Sequence, residues 1–224
     1  LHNRTHSFPT RRSSDLAFVG ESGIMTSDGK KTISLPSGTM SVNFTPDSRG
    51  VTYICRQTDG GQLFRMEIQS RAVEQLSRVP GGISNYILLP DESGLIFSTS
   101  VYAVDSSPEY AARMEEERKE RKHVALVYDH LLMRPYFRWD DGRVSHVFLY
   151  RFDTQEIRDL TPGPFSAPTS HLGSRNDLAV SPDGRTLAYT TNTDPVKALS
   201  TNNDIYLVDL EGRNRRQLTS GKGN

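Results

Sequence analysis

The sequence has only one cysteine, Cys55, so it can form neither an internal disulfide nor a cysteine metal cluster. On a strand, that residue reads as a small core hydrophobe. Charge of one sign is also missing, with 27 Lys and Arg against 27 Asp and Glu. A balanced chain has no field to draw in nucleic acid or an anionic membrane. No apolar run approaches the ~20 residues of a membrane-spanning helix. Neither nucleic acid nor membrane is therefore an expected partner. There is no phosphate loop, no G-x-G-x-x-G and no H-E-x-x-H, and His2, His6, His123, His130, His146 and His171 are scattered. No metal and no cofactor is expected. His146 heads a strand and reads as structural, and Asn202-Asn203-Asp204 lacks a calcium-loop pattern and reads as a turn.

An initiating Met is missing too. Leu1 to Ser14 holds Arg4, Arg11 and Arg12 with no acid, and lacks the apolar stretch of a signal peptide. The string from Ser7 to Leu16 resembles translated sequencing-adapter read-through. Residues 1–15 therefore read as an artefact or a disordered arm, and the fold is expected over residues 16–224.

What the sequence does contain is an internal repeat. Val42 to Ile54, Tyr86 to Ser98 and Leu178 to Thr190 each run apolar strand, Pro-Asp turn with Gly, apolar strand. Pro presets φ for a tight turn, Asp bonds the backbone beyond it and Gly tolerates positive φ, so each segment reads as a hairpin. A second hairpin follows each, over Gln62 to Ser77, His146 to Thr161 and Asp204 to Thr219. Two hairpins make four antiparallel strands, the unit of a β-propeller.

Pro46 and Pro90 are 44 residues apart, a blade-length spacing, whereas Pro90 and Pro182 are 92 apart. The second unit is about 40 residues longer than the first, and Ser100 to Gly142 holds no Pro-Asp-x-Gly hairpin, so an insertion is expected there. The expected fold class is all-β: a partial β-propeller of about three four-stranded antiparallel blades with one helical insertion. The blades are placed at about 38–80, 83–163 with insertion 101–142, and 176–220. Lys31 to Leu35 reads as the outer strand of an earlier blade, so the sequence is expected to be a middle slice of a longer propeller. Apolar residues on both faces of the third strands, such as Ile205 and Leu207 opposite Tyr206, Val208 and Leu210, imply sheets covered on both sides.

Pro108 to Lys122 reads as the inserted helix, with Ser106 and Glu109 as a capping box and Glu115–Lys119 and Glu117–Arg121 as ion pairs. Its low apolar content predicts a solvated helix. Met133 to Gly142 gathers the only Trp with Tyr136, Phe137, Arg134 and Arg138, either as a plug packing the insertion or as a binding rim, with Asp141-Gly142 as a turn.

Several motifs resemble the prolyl oligopeptidase family. The Ser181-Pro182-Asp183-Gly184-Arg185 hairpin, the Asp204 to Asp209 strand and Arg216-Gln217-Leu218-Thr219 look like its propeller repeats, which TolB-like propellers share. The charged helix, Tyr128-Asp129, Phe137-Arg138-Trp139-Asp140, Ser145 to Phe148 and Asp159 to Gly163 are similar to the dipeptidyl-peptidase and acylaminoacyl-peptidase branch. The resemblance implies a propeller that gates an α/β-hydrolase domain carrying a Ser-Asp-His triad, with short peptides as substrates. A G-x-S-x-G elbow is absent, so no catalytic residue is assigned in this chain and the hydrolase domain is expected to lie outside it. In that family Glu side chains of the propeller can anchor a substrate amino group. Glu115 and Glu116, with Arg138 and Trp139, are the candidate substrate-binding residues. The alternative is a non-catalytic TolB-like propeller for protein–protein interaction.

Overall fold

The computed structural model describes residues 17–20, 23–26, 32–45, 47, 49–57, 60–122, 140–169, 177–195 and 200–221. These form fifteen strands and one helix, in two compact units that divide between Arg78 and Val79. In the first unit, β1 (Ala17–Gly20), β2 (Gly23–Thr26) and β3 (Thr32–Ser34) form an antiparallel three-stranded sheet. β4 (Thr39–Phe44), β5 (Gly50–Gln57), β6 (Gly60–Glu67) and β7 (Val73–Gln75) form a four-stranded meander. The second unit holds two more four-stranded meanders. One comprises β8 (Asn85–Leu88), β9 (Gly94–Tyr102), β10 (Arg143–Arg151) and β11 (Ile157–Asp159). The other comprises β12 (Leu178–Val180), β13 (Thr186–Thr191), β14 (Asp204–Asp209) and β15 (Arg216–Gln217). Helix α1 (Pro108–Glu120) lies between β9 and β10, within the expected insertion.

All strand pairs are antiparallel between sequence neighbours, as short hairpin connections dictate. The hairpin turns are tied by their aspartates. Asp47 accepts from the Arg49 N–H at 3.0 Å, Asp91 from the Ser93 N–H at 3.0 Å and Asp183 from the Arg185 N–H at 3.1 Å. The glycines have two jobs. Gly184 sits at φ +68° and serves the turn as anticipated. Gly94 instead opens β9, and a Cβ there would lie 2.3 Å from the Tyr150 carbonyl oxygen of β10. The left-handed turn residue of that hairpin is Glu92, at φ 54°.

Cross-strand aromatic pairs recur between the second and third strands of each four-stranded sheet. Tyr53 stacks on Phe64 at 5.8 Å, Phe97 on Phe148 at 5.3 Å and Tyr189 on Tyr206 at 5.9 Å, each pair directly opposite in register. Each first member lies seven residues after the Pro of its hairpin. Such pairs add about 0.5–1.5 kcal/mol beyond the area they bury.

In the second unit the two sheets pack face to face. Leu89, Ile96, Val147, Leu149 and Leu160 of one meet Leu178, Leu187, Tyr189, Val208 and Leu210 of the other, with Ala167 of the connecting segment between them. In the first unit Val51, Tyr53, Cys55 and Met66 pack with Ile33 of β3. The opposite face of β14 is more open than its apolar pattern implied: Ile205 and, just past β15, Leu218 are exposed, while Val208 is buried.

Helix α1 begins at Pro108, as its sequence signal has it, but its cap lies one residue later than the expected Ser106. The N-cap is Ser107, whose hydroxyl accepts from the Tyr110 N–H at 3.2 Å. Ser106 with Glu109 therefore does not form the expected box. The helix ends at Glu120 with Arg121 as an extended C-cap, which takes Arg121 out of helical register with Glu117. Glu117 lies 3.9 Å from Arg113, and Lys119 bonds Glu116 at 2.6 Å. Pro108 at its start is buried, and the helix meets β9 through an edge-on contact of Tyr110 with Tyr102.

Candidate functional site

The candidate substrate-binding residues fall in two groups. Glu115 and Glu116 lie on α1, whereas Arg138 and Trp139 are outside the described residues. Glu115 is drawn into a charge cluster at the foot of the helix, 3.8 Å from Arg118 and 3.7 Å from Arg143 at the start of β10. Asp141 anchors that cluster: Arg143 grips it through Nε at 2.9 Å and Nη2 at 2.5 Å, with Arg118 at 3.4 Å. Burial pushes the Asp141 carboxyl up, but the Arg143 hydrogen bond and charge outweigh it and hold the group below its ordinary value. Arg143 is half-buried, which lowers its affinity for the proton, yet bonding to Asp141 and the nearby Glu115 charge raise it overall. Gly142, at φ +78°, supplies the turn that aims Asp141 back at Arg143. Glu116 points elsewhere, exposed and paired with Lys119.

A cleft of about 420 Å³ opens at the other end of α1, lined by Asp105, Ser107, Glu109, Phe148, Gln155 and Asp159 among others. Ser107 hydrogen bonds hold the exposed Asp105 carboxyl below its usual range. Among the described residues no group of three or more His, Cys, Asp or Glu could hold a metal. No described helix is long and apolar enough to cross a membrane.

At the floor of this region is the pair most like an acid–base site. His146 Nδ1 lies 2.8 Å from Asp159 Oδ2, the geometry of a base and its orienting carboxylate. The other ring nitrogen, Nε2, lies 2.9 Å from the Gly163 carbonyl oxygen, and His146 is 0% exposed. A general base must reach a substrate proton. This one faces a backbone carbonyl inside the protein, so the pair is structural, as the sequence reading had it.

The repeat explains why the pair is there. Where the third and fourth strands of each sheet meet, a Leu-Ser or Leu-Thr step places a hydroxyl that accepts from a third-strand N–H. Ser77 takes that of Leu63 at 2.8 Å, Thr161 that of Val147 at 2.9 Å and Thr219 that of Ile205 at 2.9 Å. The residue before that N–H and the residue two before the hydroxyl complete each corner: Gln62 and Gln75, His146 and Asp159, Asp204 and Gln217. Ser77 donates to Gln62 at 2.8 Å, and Thr219 and Gln217 both donate to Asp204 at 3.0 Å. His146 is the same corner filled with ionisable groups. Its signal in the sequence was positional, as His146 stands fifteen residues before Thr161 just as Gln62 stands before Ser77 and Asp204 before Thr219.

Comparison with known proteins fits this architecture. No family model matches the chain. Dipeptidyl-peptidase 5 of Porphyromonas endodontalis is 27% identical over 212 residues, covering 88% of this chain and 29% of that protein. The uncharacterized peptidase YuxL of Bacillus subtilis is 24% identical over 166 residues, covering 74% of this chain and 23% of that protein. The chain thus spans less than a third of the curated relatives it matches. Among solved structures, an acylaminoacyl peptidase in complex with Z-Gly-Gly-Phe-chloromethyl ketone superposes with a TM-score of 0.58 at 11% identity, over 96% of this chain and 32% of that one. The Pyrococcus horikoshii acylaminoacyl peptidase gives 0.55 at 12% identity, over 96% of this chain and 30% of that one.

The fold is that of a β-propeller region, and the sequence relatives that the chain matches in part are named as peptidases. The dipeptidyl-peptidase relatives are in line with the resemblance to the prolyl oligopeptidase family read from the sequence.

Proposed function

We propose that this chain is part of the substrate-gating propeller of a serine peptidase that cleaves short peptides, whose hydrolase domain lies outside these residues. The observation that carries the reading is the match to a dipeptidyl peptidase across 88% of the chain. The absence of a G-x-S-x-G elbow fits a region that restricts access rather than one that reacts. A peptidase relative favours this over a non-catalytic interaction propeller. The test is to read the source gene beyond this frame, express the whole product and assay dipeptidyl and N-acyl-aminoacyl chromogenic peptides. Hydrolysis that is abolished by replacing a downstream elbow serine supports the reading. A gene that closes the propeller without an elbow removes it.

Glu116 is the better candidate for holding a substrate amino group. Its side chain is 70% exposed, while Glu115 is committed to two arginines. In the complete enzyme, Glu116→Gln is expected to raise KM for free-N-terminal peptides about tenfold through loss of a charge-assisted contact. N-blocked peptides should be unaffected, and an unchanged KM removes Glu116 from the site.

A further inference from the structure

We propose that the His146–Asp159 corner is a proton-dependent latch on the strap that joins the two sheets of the second unit. The strap, residues 160–168, is held along the part of β10 that β11 leaves unpaired. Leu160 N–H donates to Val147 O at 2.9 Å, Ala167 N–H donates to Ser145 O at 2.7 Å, and Ser166 Oγ accepts from Ser145 N–H at 3.2 Å. Thr191 of β13 donates its hydroxyl to Ser166 O at 2.9 Å, so the strap ties one sheet to the other. His146 bonds the middle of the strap through Gly163.

Both ring nitrogens face acceptors. A neutral ring has one N–H, so beside an ionised Asp159 it satisfies Gly163 or Asp159 but not both, and the second contact sets lone pair against lone pair. Both contacts are made only when the pair holds one further proton, on the ring or shared with the carboxylate. The rest of the surroundings favour this arrangement. Asp159 Oδ1 accepts from the Thr161 N–H at 2.9 Å, which fixes the carboxylate against the ring. Asp105 and Glu109 share the cleft with Asp159, and the strap carries no titratable side chain. Thr99 is the residue opposite His146 on β9. Arg215 lines a small cavity with Gly163 and Thr191.

The sign follows from linkage. If the closed strap binds a proton that the opened strap releases, closure weakens as pH rises, by at most about tenfold per pH unit. The first sheet supplies an internal reference, because its equivalent corner is made of Gln62, Gln75 and Ser77 and has nothing to titrate in this range. The experiment is hydrogen exchange on the whole chain between about pH 5 and 8, where histidine changes charge. Rates are corrected for intrinsic exchange, and Leu160 and Ala167 are compared with Leu76. Protection of Leu160 and Ala167 is expected to fall about tenfold or more relative to Leu76 as pH rises, and His146→Gln should flatten the difference to within about twofold. Parallel behaviour of the two corners in the wild-type chain overturns the proposal. So does a His146→Gln chain that keeps the wild-type pH response. Should His146→Gln fail to fold, the wild-type comparison decides alone.

Discussion

The corner of the second sheet and the corner of the first perform one structural task with different chemistry. In the first, Ser77 bridges Leu63 and Gln62 with neutral hydrogen bonds. In the second, the positions of Gln62 and Gln75 hold His146 and Asp159, with the imidazole reaching on to Gly163. A His–Asp contact of 2.8 Å in isolation suggests catalysis. The neutral version in the neighbouring sheet shows that the position closes a strand end, and that ionisable groups were fitted to it. Repeats within one chain can thus separate structural from reactive histidines where a single blade cannot.

Substitutions can sharpen or break that comparison. The largest effect is expected from the aromatic pairs that both sheets share. Phe148→Ala should cost about 3–5 kcal/mol in urea unfolding, as for other buried aromatics. Tyr206→Ala in the last sheet should cost less, because Tyr206 is only partly buried. Equal losses would mean that the last sheet is covered as fully as the middle one. Next, Asp159→Ala should cost about 1–3 kcal/mol by leaving a buried ring nitrogen unpaired. Gln62→Met in the neutral corner should cost about 1 kcal/mol, so the two corners should differ measurably. A smaller effect, about 1 kcal/mol, is expected for Ser107→Ala through loss of the α1 N-cap, read as reduced thermal stability; Ser106→Ala should be silent.

The smallest effect concerns acid. Hydrogen bonds from Thr45, from the Ser93 backbone and from Ser181 hold Asp47, Asp91 and Asp183 below their ordinary 3.8. A carboxyl with a depressed folded value stabilises the fold above its unfolded value, and that contribution fades as pH falls through the folded one. The turns should therefore loosen only below pH 3.8, seen as a slight drop in melting temperature that the Asp183→Asn chain shows less.

Much of the fold was legible because hairpin chemistry is local. Asp91, Asp183 and the apolar runs beside them mark strands that pair with their sequence neighbours, and the 92-residue gap between Pro90 and Pro182 marks the insertion. Local signals misled where two residues competed for one role. Ser106 and Ser107 are both competent caps, and the structure selects Ser107. Gly94 looked like a turn glycine, yet the close carbonyl of Tyr150 on the next strand requires it. The hairpin of β1 and β2 was not anticipated at all, since its four-residue strands follow directly on the adapter-like segment. The aromatic pairs were visible as a constant offset from each hairpin Pro, but stacking depends on register between strands, which no single strand displays. Among the candidate site residues, the commitment of Glu115 to Arg143 spans the whole insertion and could not be read from helix periodicity. Arg138 and Trp139 lie outside the described residues.

Cys55 has a use beyond packing. It is the chain's one thiol, 1% exposed in the core of the first sheet, with its sulfur 3.7 Å from the Ser37 carbonyl oxygen. Alkylating reagents can reach it only when that sheet opens. Its labelling rate is therefore a native clock for the breathing of the first unit, read without introducing a probe, while His146 reports on the second.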